Sequence, residues 1–297
     1  DLLSADEQAV FRPLGVAVGG CSREAAAAIC GIPDDQLDAH LYSLGEKHLV
    51  QVTATDDGPR IGMLETIREF ALERLHECGE TSDIERRHAL HHLSLAIDAQ
   101  PNLVGADQVT WVERLELEQG NLRAALAWSF QQDDEDGDVV AAGVRGAGAL
   151  WRFWLRRGSL REGIDWLERA LTRPIDDPSL RAQVLVAVAR LHEASSAHER
   201  AAQLIDEALP LSREIGDQVI EADALGVLGE IAEDQGEFSL ASTRYLEALE
   251  LYQSNGLRRE SATSLNKLGM IAFFQGDFPR ATELWEECVA IFRELGD

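Results

Sequence analysis

The side chains best spaced to do chemistry are Glu85, His88 and His92, which share one helical face at intervals of three and four. With His91 beside them they offer imidazoles and a carboxylate, the donor types that hold zinc. A catalytic zinc also needs groups that orient its imidazoles, and the neighbouring sequence supplies none in a recognisable pattern. The expectation is therefore a helix surface or an interdomain contact, with no metal and no catalytic residue. Acid–base pairs carry no information in a chain with 53 Asp and Glu. No Gly-x-Ser-x-Gly or His-Glu-x-x-His string occurs. Cys21, Cys30, Cys78 and Cys288 follow no zinc spacing and are too few for a disulfide scaffold. They read as reduced thiols of a cytoplasmic protein.

Charge narrows the binding classes. The 297 residues carry 53 acidic against 27 basic side chains, a formal charge of −26. Such acidity opposes contact with phosphate backbones and anionic membranes, which reward clustered Lys and Arg. The most apolar stretch, residues 139–155, is interrupted by Arg145 and Arg152 and is too short to span a bilayer. Arg152, Arg156, Arg157 and Arg161 form the main basic cluster. They would receive an anionic ligand or an acidic partner, or else pair with neighbouring carboxylates.

The elements that position these residues repeat. Gly216, Gly256 and Gly296 each close a helical stretch at a spacing of 40 residues, and Ala201, Ala241 and Ala281 keep the same interval. So do Ala208, Ala248 and Cys288, and Gly229 recurs as Gly269. A helical period near this length specifies stacked helix hairpins whose usual work is to hold partners. One copy reads as a helix over 219–235, a turn at Gly236 and a return helix over 238–254. Gly229 sacrifices helix propensity so that the return helix can approach, with Tyr245 filling the space between Ala241 and Ala248. The next copy carries Gly269, Trp285 and Cys288 in those roles, and an earlier one Ala189, Ile205 and Ala208. A further hairpin reads over 151–157 and 160–171, turning at Gly158. Large aromatics at helical spacing, such as Trp151, Trp154 and Trp166, are expected to fill interhelix space.

This register resembles the tetratricopeptide repeat in a lengthened form, over about residues 141–297. By that resemblance the inner wall is built from first-helix residues: Gln183, Val186 and Arg190, then Asp223, Gly226, Glu230 and Glu233, then Thr263, Asn266, Met270 and Phe273. Asn266 and Lys267 match part of a carboxylate clamp, but Asp223 and Glu230 stand where the clamp's other cations belong. The candidate partner-binding or effector-binding residues are Arg152, Arg156, Arg190, Glu230, Asn266, Lys267, Met270 and Phe273. A protein, a basic peptide or a small effector is the expected occupant. The chain begins without methionine and stops where another repeat would begin, so further sequence is expected at both ends.

Residues 1–80 follow another plan. Ser4 caps a helix running to about Leu14, Ser22 caps a second through Cys30, and a third runs from Asp34 or Asp35 to about Lys47. Residues 48–55 alternate as a strand, Asp56-Asp57-Gly58-Pro59 turns, and 60–63 return. Three helices and a hairpin make a winged-helix plan. The expected organisation is a winged helix over 1–80, a helical linker with degenerate hairpins over 81–178, and 40-residue repeats over 179–297. The fold class is mainly α: a winged helix, then a tetratricopeptide-like superhelix.

Local strings carry a family resemblance. Residues 11–20 (FRPLGVAVGG), 63–75 (MLETIREFALERL), 121–128 (NLRAALAW), 151–158 (WRFWLRRG) and 166–171 (WLERAL) resemble bacterial signal-transduction ATPases of the NB-ARC-related type attached to transcriptional regulators. The resemblance implies a nucleotide-binding module, a winged helix that reports its state, and a repeat array that receives the signal. No Gly-rich loop ending in Gly-Lys-Ser/Thr is present, so this chain is expected neither to bind nor to hydrolyse ATP. Where relatives place a histidine within Met-His-Asp, this chain has Met63-Leu64-Glu65, and Leu64 cannot donate to a phosphate.

The expected role is thus a non-catalytic sensor relaying to an absent ATPase module. The alternative is a transcriptional regulator that binds DNA through its own winged helix. Charge opposes the alternative, because residues 1–80 hold 6 Lys and Arg against 15 Asp and Glu, a net of −9. The presumed recognition helix presents Asp34, Asp35, Asp38 and Glu46 against Lys47, where base and phosphate contacts require cations.

Overall fold

A computed structural model describes residues 3–55, 58–132 and 137–296, with the backbone alone at Asp34 and Asp35. The expected turn at Asp56-Asp57 and the expected charges of Asp34 and Asp35 therefore lie outside the described residues. The chain forms two compact units, one of Asp1–Asn102 with Val109–Ala149, the other of Leu103–Gln108 with Leu150–Asp297.

In the first unit, α1 (Ala5–Leu14) starts at a reciprocal cap. Glu7 N–H donates to Ser4 Oγ (3.2 Å) and Ser4 N–H to Glu7 Oε2 (2.7 Å), which satisfies two amides that the first turn leaves without partners. Then come β1 (Cys21–Ser22), α2 (Arg23–Cys30, capped by Ser22), α3 (Asp34–Glu46), β2 (Gln51–Thr55) and β3 (Gly58–Gly62). The strands form an antiparallel sheet in the order β1-β3-β2, which fits a winged element. The first strand is shorter than 48–55 suggested, since His48 adopts a left-handed φ of 57° that ends the helical segment before extension begins. The return strand takes in Gly58 and Pro59 of the expected turn. Strand β1 had no periodic signal, because two residues cannot show one. Phe11, Ile29, Leu37, Leu44, Ile61 and Leu75 pack together as the core of this segment.

Five further α-helices follow in that unit among the described residues: α4 (Glu65–Glu77), α5 (Thr81–Ala99), α6 (Gln108–Leu117), α7 (Gln119–Ser129) and α8 (Gly137–Ala149). Helix α5 packs against α2, α7 and α8. Glycine lets α8 come close: a Cβ on Gly146 would lie 2.8 Å from a Leu93 methyl.

The second unit is a stack of hairpins: α9 (Trp151–Arg157) with α10 (Leu160–Leu171), α11 (Pro178–Ala194) with α12 (His198–Ile215), α13 (Gln218–Asp234) with α14 (Phe238–Ser254), and α15 (Arg258–Phe274) with α16 (Phe278–Leu295). Each hairpin packs on the next, through α10 on α11, α12 on α13 and α14 on α15. The first helices α11, α13 and α15 start 40 residues apart, and Asp177 and Asp217 cap two of them by accepting backbone N–H groups. Ala201, Ala208, Ala241, Ala248, Ala281 and Cys288 are all buried, as the small-residue register requires. Gly216, Gly256 and Gly296 sit at φ of 72°, 70° and 72°, a left-handed exit that stops each return helix at little steric cost.

Candidate functional site

The repeat unit gathers a line of polar side chains on its first helices. Arg190, on α11, donates to Asp223 Oδ1 on α13 at 2.9 Å and lies 3.7 Å from Glu230 two turns further along α13. Asp223 Oδ1 also accepts from the Tyr252 hydroxyl at 2.9 Å. On α15, Lys267 Nζ lies 3.2 Å from Glu233 Oε2 and 3.9 Å from Glu230 Oε1. Glu233 Oε2 accepts from Tyr245 OH at 2.8 Å. Glu230 therefore stands between two cations contributed by the hairpins on either side of it. These contacts exist because successive first helices present the same face at a 40-residue interval, so a cation on one copy meets a carboxylate on its neighbour.

Two guanidinium groups flank one indole at the α9 end of this line. Arg152 lies 4.3 Å and Arg190 5.3 Å from the Trp151 ring centroid, within cation–π range. Burial, and then the adjacent Arg190 cation, push Arg152 below its ordinary pKa. Burial would lower Arg190 too, but Asp223 and Glu230 outweigh it and raise Arg190 above the usual arginine value. Among the described residues no carboxylate forms an ion pair with Arg152, so the pair of cations is neutralised mainly on the Arg190 side.

At the far end, Phe273 is 47% exposed, with its ring centroid 5.5 Å from Phe278 and 5.9 Å from Trp285. Met270 is half-buried and Asn266 exposed, and the Asn266 carbonyl accepts from Trp285 Nε1 at 3.4 Å. Thus Arg152, Arg190, Glu230 and Lys267 come together as one polar line, and Asn266, Met270 and Phe273 continue along α15. Arg156 does not join them: its guanidinium donates to the Leu103 carbonyl at 3.1 Å. One expected wall residue is misplaced. Val186 is buried, because α11 packs against α9, α12 and α13 and has little free surface.

Of the two expectations for His88, His91 and His92, a helix surface or a contact between segments, the helix surface is corrected. His88 and His92 are buried, and His91 is half-buried. His88 Nε2 donates to Asn121 Oδ1 at 3.1 Å, and His92 Nδ1 donates to the His88 carbonyl at 2.8 Å. Asn121 Oδ1 also accepts from Val18 N–H (2.7 Å), while its amide donates to the Gly20 carbonyl (2.8 Å) and to Glu118 Oε2 (2.6 Å). Glu118 Oε1 accepts from Arg60 on β3 at 2.7 Å, and Arg60 also donates to the Gly20 and Leu117 carbonyls. This network ties the 18–20 loop and the β-hairpin to α5 and to the α6–α7 junction. Glu85 takes no part, since it accepts from Trp128 Nε1 at 2.9 Å. Burial counts against the charged form of Glu118, but His92 and Arg60 beside it hold its carboxyl down at about 2. Burial and the neighbouring His92 push His88 down to about 4, and the same two causes, in that order, push His91 down to about 4. Asn121 opens a string noted in the sequence, yet its partners lie up to 103 residues away, so no local pattern disclosed them.

The second unit is a tetratricopeptide-like helical repeat array. Residues 170–292 match the family described as SNAP, soluble NSF attachment protein. The chain is 36% identical over 174 residues to proteins named as HTH-type transcriptional regulators in Mycobacterium tuberculosis and Mycobacterium bovis, a match covering 57% of this chain and 19% of each relative. The chain therefore spans about a fifth of the length of those relatives. Among solved structures, a signal-transduction ATPase with a tetratricopeptide-repeat sensor from Pyrococcus horikoshii superposes with a TM-score of 0.55 at 16% identity, covering 99% of this chain and 45% of that one. BtubC from P. vanneervenii gives 0.51 at 23% identity, over 62% of this chain and 74% of its own. At such identities the likeness is one of fold.

Proposed function

We propose that this chain is the non-catalytic sensor and protein-interaction region of a bacterial regulatory ATPase. In this reading the repeats over 179–297 receive a protein, a peptide or a small effector, and 81–178 connect them to residues 1–80. Residues 1–80 act as a winged helix that passes the change to a nucleotide-binding module outside this chain. The module in turn controls transcription or signalling in the cytoplasm.

The polar line on the first helices carries the proposal. A ligand group bearing negative charge would lie by Arg152 and Arg190, since Arg152 forms no ion pair with a carboxylate among the described residues, while apolar surface would cover Met270 and Phe273. Arg190, Glu230 and Lys267 are half-buried and matched across three hairpins, so a ligand that re-pairs one of them alters the packing between copies. A ligand shifts an equilibrium only as far as it binds the two arrangements unequally, and contacts that cross hairpins provide such a difference. The fold likeness to an ATPase whose sensor is a repeat array, and the sequence likeness to longer transcriptional regulators, support the same assignment.

The test uses purified chain and purified full-length protein. The chain alone is expected to turn over no ATP. Partner or effector retention by the full-length protein is expected to fall when Arg152 or Lys267 is replaced by alanine. ATP turnover by the chain itself, or retention unchanged in both variants, would sink the proposal.

A further inference from the structure

Glu193, His198 and Asp234 stand apart from the polar line and come from three elements. Glu193 lies at the C-terminal end of α11, His198 is the first residue of α12, and Asp234 is the last residue of α13. One ligand atom from each lies within 4.8 Å of the other two, and His198 Nε2 is 3.1 Å from Asp234 Oδ2. His198 Nε2 is out of contact with solvent and makes no well-directed hydrogen bond among the described residues. The turn that brings His198 back beside Glu193 holds Ser196 at a φ of 60°, a strained left-handed conformation that the equivalent turns assign to Gly236 and Gly276.

The repeat register makes this group unusual. Forty residues along, the positions of His198 and Asp234 are Phe238 and Phe274, whose rings stack at 5.9 Å with 14° between their planes. The same place between successive hairpins thus holds an apolar aromatic pair in one copy and an imidazole with carboxylates in the other. The carboxylates are crowded as well. Burial, then the nearby charges of Glu230 and Asp234, push Glu193 up to about 7. Both helices that end here also point the negative ends of their dipoles toward the group. The crowded carboxylates and the C-terminal ends of α11 and α13 favour a cation. Against it stand the burial of Glu193, the nearby charges of Lys267 and Arg190, and the N-terminal end of α12 at His198.

We propose that Glu193, His198 and Asp234 form a three-ligand site for a divalent transition metal of the zinc class, joining the α11–α12 hairpin to α13. One imidazole nitrogen and two carboxylate oxygens suit zinc, whereas calcium requires six to eight oxygens. Three protein ligands leave a fourth position for water or for a group from a partner. The site lies on the array and does not depend on the sensor assignment, because it concerns how two hairpins are fastened together.

The experiment titrates chelator-treated 297-residue chain with Zn2+ in a calorimeter and with Co2+ in an absorption cuvette. The intact chain is expected to take up one equivalent of Zn2+, to show the visible bands of low-coordinate Co2+, and to unfold at a higher temperature with Zn2+ present. The double variant His198→Phe/Asp234→Phe installs the aromatic pair of the next interface and so keeps the packing. It is expected to lose the Co2+ bands and to bind Zn2+ at least about tenfold more weakly. If that variant fails to fold, Glu193→Gln and Asp234→Asn are isosteric replacements expected to weaken uptake in the same direction. No stoichiometric uptake by the intact chain overturns the proposal and leaves a His198–carboxylate contact. Uptake by a folded variant equal to that of the intact chain overturns it too, by placing the metal elsewhere.

Discussion

Tyr245 occupies the space that a methyl group on Gly229 would need: a Cβ there would lie 2.5 Å from Tyr245 Cε1. Trp285 and Gly269 repeat the relationship 40 residues later, at 2.6 Å from Trp285 Nε1. Each glycine gives up helix propensity so that an aromatic ring can reach the first helix of its hairpin. Gly229→Ala is therefore expected to destabilise the array by about 1–3 kcal/mol, the usual cost of overpacking. Gly226→Ala, one turn earlier on the same helix, meets only an Arg190 nitrogen at 3.8 Å. It is expected to stabilise by up to about 1 kcal/mol through helix propensity. Urea unfolding of the two variants checks the pair, and equal effects would refute the contact.

Arg190→Ala removes the cation paired with Asp223 and close to Glu230, leaving Asp223 with the Tyr252 hydroxyl and Glu230 with Lys267. A loss of about 1–3 kcal/mol is expected, typical of charged partners left unsatisfied. Arg190→Ala/Asp223→Ala is expected to cost less than the sum of the single changes, which a double-mutant cycle measures.

Acid should loosen the first unit in two stages. His88 is held at about 4 in the fold against 6.5 unfolded, so protons favour the unfolded chain once pH drops below 6.5. The loss grows until about pH 4 and reaches roughly 3 kcal/mol at most, at about 1.4 kcal/mol per unit. Glu118, held at about 2 against 4.5, adds stability that is complete above 4.5 and disappears as pH falls toward 2. In His88→Gln the upper stage should shrink while the lower one stays. Stability measured from pH 7.5 to 3 would decide, and an unchanged upper stage would contradict the assignment.

Gel-shift titrations with duplex DNA are expected to detect no steeply salt-dependent affinity. Helix α3 adds no net positive surface, since Asp38 is paired with Arg23 at 2.8 Å and Lys47 with Glu7 at 2.5 Å. Affinity that falls steeply with salt would favour the DNA-binding alternative.

The array was legible because its signal is repeated. Small residues at 201, 241 and 281, and the ring-over-glycine pairs, recur at an interval long enough to specify a hairpin. The predicted helices over 151–157, 160–171 and 238–254 match the observed bounds, while 219–235 is displaced by a single residue. The same register puts Arg190, Asp223, Glu230 and Glu233 on first helices, but the pairing among them and with Lys267 is not legible in it. The His88–Asn121–Glu118–Arg60 network is not legible either, because its members are polar residues scattered through the chain and joined only by tertiary packing. A run of His88, His91 and His92 looks alike whether it faces solvent or core. The Glu193–His198–Asp234 group left one trace, a histidine at a register position that otherwise carries phenylalanine, and that trace has meaning only once the copies are aligned.

The left-handed glycines at 216, 256 and 296 have a consequence for how such a chain can change length. The return helices α12 and α14 are each released with the same backbone geometry into the start of the next copy, and α16 ends in that geometry too. Excising the segment from 217 to 256 would rejoin ends of matching backbone conformation, with Leu257 in place of the capping Asp217. The array can therefore lose or gain a whole module at these joints, exchanging one interface chemistry, aromatic or ionic, for another while its pitch is kept.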